Sequence, residues 1–251
     1  LKLARPDLKV IVITGDGDCL AIGGNHLIHA CRRNLDITCL MLNNEVYGMT
    51  GGQVSPTTSA NRLTTTTPGG NCEPTFDACK LAEAAGASFV GREVTRQAPA
   101  LKNLIRNAIA HEGFSFVEVM SDCTEIYGRK NDLGESPEMI LAQKADMRPE
   151  AFGNAADQPF RPNRLVTGVL AQQNRPEYGA TYRERAALER ARVIHELGRR
   201  IITRFIEDAL RESAQRIVAT GAESADEIRA AGRQVVTFSE AMAEADRSIK
   251  T

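Results

Sequence analysis

A doubly wound parallel α/β sheet is the fold this sequence predicts, and three observations carry it. Aliphatic runs of strand length recur, at Val10–Ile13, Ile37–Leu42 and Phe114–Met120. Between them lie stretches whose apolar residues repeat at helical spacing. Trp is absent and aromatics make up only 5% of the 251 residues. A core must then rest on Val, Ile, Leu, Ala and Met, the residues of strands covered on both faces.

The elements follow in order. After the first strand, Leu27, Ile28 and Cys31 share one face of a helix over Gly24–Arg33, and Asn34-Leu35-Asp36 turns into the second strand. A polar loop from Gly48 to Glu73, rich in Thr, Gly and Pro, is long enough to be read as functional. A helix over Asp77–Gly86 and a short strand over Ser88–Glu93 come next. Leu101, Leu104, Ile105, Ala108 and Ile109 then mark a helix over Pro99–Glu112 before the third aliphatic strand. Composition changes after residue 128. Residues 129–185 are rich in Pro, Asn and Gln and read as an extended arm lying on a partner, with Val166–Leu170 as one short edge strand. Residues 186–251 read as a helical tail. Its apolar stripe includes Leu188, Val193, Leu197, Ile201 and Phe205. Further helix starts are predicted at Ser224-Ala225-Asp226-Glu227 and at Ser239. The division is thus 1–128, 129–185 and 186–251.

Several function classes are excluded by composition. A net charge of −1 leaves no electrostatic footprint for nucleic acid. No run of about 18 apolar residues exists to span a membrane. Six cysteines at irregular spacing do not form a secreted disulfide framework. Leu1–Pro6 does not read as a signal peptide, so the expected compartment is the cytoplasm.

The chemistry is concentrated in two polar corners, each at the carboxyl end of an aliphatic strand. One is Gly15-Asp16-Gly17-Asp18. The other is Asn43-Asn44-Glu45-Val46-Tyr47-Gly48-Met49-Thr50. In parallel sheets, ligands sit beyond the carboxyl ends of the strands, so both corners face one crevice. The Asp16 carboxylate, the Asn44 amide and nearby carbonyls are hard oxygen ligands, suited to Mg²⁺ holding a diphosphate. Gly15 and Gly17 let the backbone approach a phosphate without a Cβ in the way. The helix starting near Gly23-Gly24 points its amides at the same crevice.

This spacing resembles the thiamine diphosphate signature, which opens on G-D-G and closes on N-N. The run L-N-N-E-V-Y-G-M-T-G-G-Q-V-S-P-T-T is similar to the β subunits of the 2-oxoacid:ferredoxin oxidoreductases, most of all their 2-oxoglutarate branch. The resemblance covers about residues 1–185. It implies the diphosphate half of the thiamine diphosphate-binding fold. It implies that Asp16, Asn44 and the Val46 carbonyl bind Mg²⁺, and that Gly15, Gly17, Asp18, Asn44, Gly48 and Thr50 line the diphosphate. It also implies oxidative decarboxylation of 2-oxoglutarate, with coenzyme A taking the acyl group and ferredoxin the electrons. An α subunit supplies the rest of the cofactor site, so the chain alone is expected to be inactive. Pyruvate and other 2-oxoacids are alternative substrates, and a non-oxidative thiamine diphosphate decarboxylase is an alternative enzyme.

The same resemblance makes Cys123 one ligand of a [4Fe-4S] cluster. The family's Cys-x-x-Cys segment is not among these residues, so Cys123 is expected to be an orphan ligand and this chain to hold no cluster. Its small-thiol alternative stays open. Cys19, Cys31, Cys39, Cys72 and Cys79 lack metal-ligand spacing. His26 and His29 share a helix face but make a poor zinc pair without a third ligand. Arg129-Lys130 is a candidate for the distal carboxylate of the substrate, or else a solvated pair.

From about Val193 the tail departs from that family. The runs R-V-I-H-E-L-G-R-R-I-I-T-R-F-I-E-D-A-L and A-A-G-R-Q-V-V-T-F-S-E-A-M resemble the C-terminal helical part of dGTP triphosphohydrolase-like proteins. The His/Asp metal centre of that family has no counterpart in the sequence. A non-catalytic helical interaction module is therefore the alternative from a different functional class.

Overall fold

The computed structural model describes residues 1–149 and 165–220. Four parallel strands, β1 (Ile11–Gly15), β2 (Thr38–Asn43), β6 (Ser115–Met120) and β5 (Phe89–Val94), run inward from one edge of a six-stranded sheet that β8 (Leu165–Gln172) and β7 (Met147–Pro149) complete. The spatial order is β1-β2-β6-β5-β8-β7. A two-residue hairpin, β3 (Val46–Tyr47) with β4 (Gln53–Val54), stands apart from the sheet.

Helices cover both faces, as a doubly wound sheet requires. Helix α1 (Gly24–Arg33) and helix α2 (Ala78–Ala84) enclose one core. Leu27 and Cys31 of α1 and Cys79 and Ala82 of α2 pack there with Met41, Val90 and Phe116 from alternate strand positions. Helix α3 (Ala98–Ala110) covers the other face, where Leu104 and Ala108 meet Phe89, Val117 and Val119. Phe89, Phe116 and Met41 are almost completely buried. Each such side chain contributes about 1.5–3 kcal/mol by leaving water.

Local chemistry sets the helix ends. The Asp77 carboxylate accepts from Lys80 N and caps α2. Pro lies in the first turn of α3, where no amide is lost. Asn34 ends α1 with φ 52°, a left-handed conformation that Asn tolerates. Its side chain accepts from Phe114 N and Ser88 Oγ and donates to the carbonyls of Arg175 and Pro176. That knot ties the amino ends of the strands together and leaves their carboxyl ends open.

Two expectations need correction. The run Val10–Ile13 was expected to be a covered core strand, but β1 is an edge strand, and Ile11, Val12 and Ile13 are 43%, 41% and 68% exposed. An aliphatic run encodes β propensity, not the number of neighbours. Residues 129–185 are also not simply an extended arm. Ser136–Asp146 is helix α4, and β8 (Leu165–Gln172) joins the sheet antiparallel to β5, with β7 (Met147–Pro149) beyond it. β8 is thus an inner strand, because it pairs with the open edge of β5 on one side and with β7 on the other.

The chain separates into two compact units, Leu1–Arg183 and Glu184–Thr251. Helix α5 (Tyr178–Thr220) begins in the first and continues into the second. The expected stripe lies on it, with Leu188, Val193, Leu197, Ile201 and Phe205 all exposed. The helix starts expected at Ser224 and Ser239 lie outside the described residues. Among the described residues, no helix is long and apolar enough to cross a membrane.

Candidate functional site

The two polar corners meet at the carboxyl ends of β1 and β2, as parallel pairing demands. Asp16 follows β1 directly and is 2% exposed. Asn43 ends β2, and its backbone carbonyl accepts from Ser121 N beyond β6 at 2.8 Å. The chain then turns sharply through Glu45, which sits at φ 61°. Asn43 Oδ1 accepts from Glu45 N at 3.0 Å and stabilises that turn.

Three oxygens converge there. Asn44 Oδ1 lies 2.7 Å from Val46 O and 3.2 Å from Asp16 Oδ1. An inverted Asn44 amide would relieve the crowding by donating to both partners. It would also lose the contact in which Val46 N donates to Asn44 Oδ1 at 3.3 Å. The Asp16 carboxylate, the Asn44 amide oxygen and the Val46 carbonyl are hard-oxygen donors of the kind Mg²⁺ takes. One carboxylate, one amide and one carbonyl could therefore hold such an ion. Among the described residues, no group of three or more His, Cys, Asp or Glu is placed to hold a metal.

Burial raises the Asp16 carboxyl above its ordinary range, and hydrogen bonds from Ser55 and Thr57 pull it part of the way back. Both hydroxyls donate to Asp16 Oδ2 at 2.5 Å. They come from the start of the long Thr-rich loop, just after β4.

The remaining predicted residues sort by geometry. Gly17 is buried beneath Tyr47, whose hydroxyl donates to Gly17 O at 2.7 Å. A Cβ at Gly17 would lie 2.4 Å from Tyr47 Cζ. Gly15 has open space where a Cβ would stand. The Asp18 carboxylate is exposed and accepts from Thr14 Oγ1 at 2.9 Å, which turns it back toward β1. Gly48 lies beside Cys123, its Cβ position 3.5 Å from Cys123 Sγ and 3.7 Å from Asn44 Nδ2. Thr50 is exposed at the hairpin tip and donates to Gln53 Oε1. Arg129 faces Glu125 at 3.3 Å in solvent, and His26 and His29 are exposed. Cys19, Cys31, Cys39 and Cys79 are buried.

We expect Gly17→Ala to displace the Tyr47 ring and break its bond to Gly17 O. The cost in unfolding free energy is about 1–3 kcal/mol. Adding Tyr47→Ser should recover part of it. Urea denaturation of the full chain checks both, and additive losses in the double variant would refute the clash.

Several supporting residues escaped the sequence. Glu118 accepts from Asn43 Nδ2 at 2.7 Å and from Arg92 Nε at 2.6 Å, and Arg92 also reaches Asp77 at 2.7 Å. The visible signal was a charge inside each of two largely apolar strands, Arg92 in F-V-G-R-E-V and Glu118 in F-V-E-V-M. The two charges are register partners. Glu45, whose carboxyl is raised by burial, accepts from Tyr127 Oη and Ser59 Oγ. This ties the Asn44–Val46 turn to the segment after Cys123.

Comparison with known proteins fits this geometry. Residues 1–119 match the family model described as thiamine pyrophosphate enzyme, C-terminal TPP binding domain. The chain is 44% identical over 178 residues to the 2-oxoglutarate synthase subunit KorB of Methanocaldococcus jannaschii, covering 71% of this chain and 66% of that one. It is 54% identical over 123 residues to the subunit of the same name from Archaeoglobus fulgidus, covering 49% and 46%. This chain belongs to the β subunits of the 2-oxoacid:ferredoxin oxidoreductases. Among solved structures, the 2-oxoglutarate:ferredoxin oxidoreductase of Magnetococcus marinus matches with a TM-score of 0.64 at 28% identity, over 74% of this chain and 65% of that one. That structure has 2-oxoglutarate, coenzyme A and succinyl-CoA bound. The chain spans about two thirds or less of the length of these relatives.

Proposed function

We propose that this chain is the thiamine diphosphate- and Mg²⁺-binding β subunit of a heteromeric 2-oxoglutarate:ferredoxin oxidoreductase. It acts with an α subunit, coenzyme A and ferredoxin. The observation that carries the reading is the three-oxygen cluster of Asp16, Asn44 and Val46 at the mouth of a sheet whose relatives are named 2-oxoglutarate synthase subunits. Asp16 would supply the one negative charge of that set, and the Asn44 amide and the Val46 carbonyl would be its neutral oxygen ligands. The Gly48–Thr50 loop borders the space for a diphosphate, while the side of Gly17 where a Cβ would stand is filled by the Tyr47 ring. The bound cofactor supplies the carbanion chemistry of decarboxylation, and the protein positions it and excludes water. Cys123 stands beside Gly48 at the same mouth, where it would be one ligand of a cluster completed by cysteines outside these residues. The likeness of the tail to dGTP triphosphohydrolase-like proteins carries no activity here.

The test is co-expression of the full chain with an oxidoreductase α subunit under anaerobic conditions. We expect 2-oxoglutarate to reduce a low-potential viologen dye, strictly dependent on coenzyme A. Faster turnover of pyruvate would move the enzyme to the pyruvate branch. Decarboxylation that needs neither coenzyme A nor an electron acceptor would replace the reading with a non-oxidative one.

A further inference from the structure

The hydroxyls of Ser55 and Thr57 have no role in the reading above, yet they are the shortest contacts of its central carboxylate. Ser55 and Thr57 are 3% and 2% exposed, and each donates to Asp16 Oδ2 at 2.5 Å. The two hydroxyls lie 3.2 Å apart and straddle that oxygen. They are themselves held in place. Ser55 N donates to Thr58 Oγ1 at 2.9 Å, and Thr58 Oγ1 donates to Glu45 O at 2.6 Å. Thr58 thereby joins the hydroxyl pair to the same turn that carries Asn44 and Val46. Two donors occupy both lone-pair directions of Oδ2. The other carboxylate oxygen, Oδ1, is the one that faces Asn44 Oδ1 at 3.2 Å.

We propose that Ser55 and Thr57 are positioning residues that force Asp16 to bind its cation through Oδ1 alone, and so select Mg²⁺ over Ca²⁺. This rests on the proposed Mg²⁺ site. The physical reason is coordination number. Mg²⁺ takes six oxygens in a rigid octahedron and uses carboxylates one oxygen at a time. Ca²⁺ takes six to eight oxygens and uses carboxylates through one oxygen or both, so a carboxylate held to one oxygen removes part of what favours Ca²⁺. A carboxylate with one oxygen already saturated by two buried hydroxyls cannot offer the two-oxygen grip. Loss of the hydroxyls would free Asp16 to rotate, which weakens Mg²⁺ and permits Ca²⁺.

The experiment uses the full chain assembled with its α subunit and saturated with thiamine diphosphate. Mn²⁺ binding is followed by EPR, and Mg²⁺ and Ca²⁺ are titrated as competitors. In Ser55→Ala/Thr57→Val we expect Mg²⁺ affinity to fall about 10–100-fold, the usual effect of removing groups that orient a ligand. The preference for Mg²⁺ over Ca²⁺ should fall at least about tenfold. Thr57→Ser, which keeps the hydroxyl, should restore both. If the double variant does not assemble, Ser55→Ala and Thr57→Val are read singly, each with an intermediate loss of preference. Parent-like affinity and preference, or an equal loss for both ions, overturns the proposal. Asp16→Ala separates the layers. If that variant keeps its Mg²⁺ affinity, the metal site itself is wrong; if it loses affinity while the hydroxyl variants keep the Mg²⁺ preference, only the positioning role fails.

Discussion

In Asp16→Ala, Mg²⁺-dependent binding of thiamine diphosphate to the assembled enzyme is lost. Asp16 is the single carboxylate in the three-oxygen cluster, and a diphosphate brings further negative charge to the same place. Without that carboxylate the ion keeps one amide and one carbonyl from this chain. Removal of groups that merely orient a ligand costs 10–100-fold in metal affinity, so loss of the charged ligand itself should cost more than about 100-fold. Asp7→Ala is the internal control, because the Asp7 carboxylate is exposed and paired with Arg5. Its effect should stay below about tenfold on the same scale. Titration calorimetry of the α/β complex at fixed Mg²⁺ measures both. An Asp16→Ala complex with parent affinity would falsify the assignment of the site.

Arg92→Met should be the most destabilising single change in the sheet. The Arg92 and Glu118 side chains are 4% and 3% exposed and are joined at 2.6 Å. Removing Arg92 leaves Glu118 charged, buried and bonded only to Asn43 and the Cys79 thiol. Breaking one partner of a buried pair costs about 3–5 kcal/mol. For a unit of this size Tm should fall on the order of 10 °C. Arg92→Met/Glu118→Gln should recover most of the loss. The amide removes the orphaned charge and still accepts from Asn43. Chemical denaturation decides it, and a loss under about 1 kcal/mol would mean that the pair is bystander chemistry.

The arrangement explains why Arg92 and Glu118 are there at all. Asn43 precedes Asn44, the proposed ligand, and Glu118 holds the Asn43 amide nitrogen while the Asn43 amide oxygen holds Glu45 N. The left-handed turn at Glu45 then follows, which brings Val46 O back toward Asn44. A buried charge pair is thus tied to the geometry of the cation site, although neither partner touches it.

By itself the sequence determined the parallel α/β class, the order of its elements and the two corners that carry the chemistry. Those properties are local. Aliphatic runs mark strands, helical spacing marks helices, and Gly-Asp-Gly and Asn-Asn can be recognised wherever they fall. Helical spacing places α1 at about Gly24–Arg33, where it lies, and the family resemblance singles out Asp16, Asn44 and Val46. Other features depend on contacts between distant segments, which spacing along the chain does not encode. That β1 is an edge strand was decided by which strands pair. That β8 lies inside the sheet was decided by its pairing with β5 on one side and β7 on the other. The Ser55–Thr57 grip on Asp16 spans 39 and 41 residues, and the Arg92–Glu118 pair spans 26. A serine and a threonine in a polar loop read alike whether they face solvent or a carboxylate. Only the folded chain, by burying them against Asp16 where no water can compete, gives their hydroxyls a single partner.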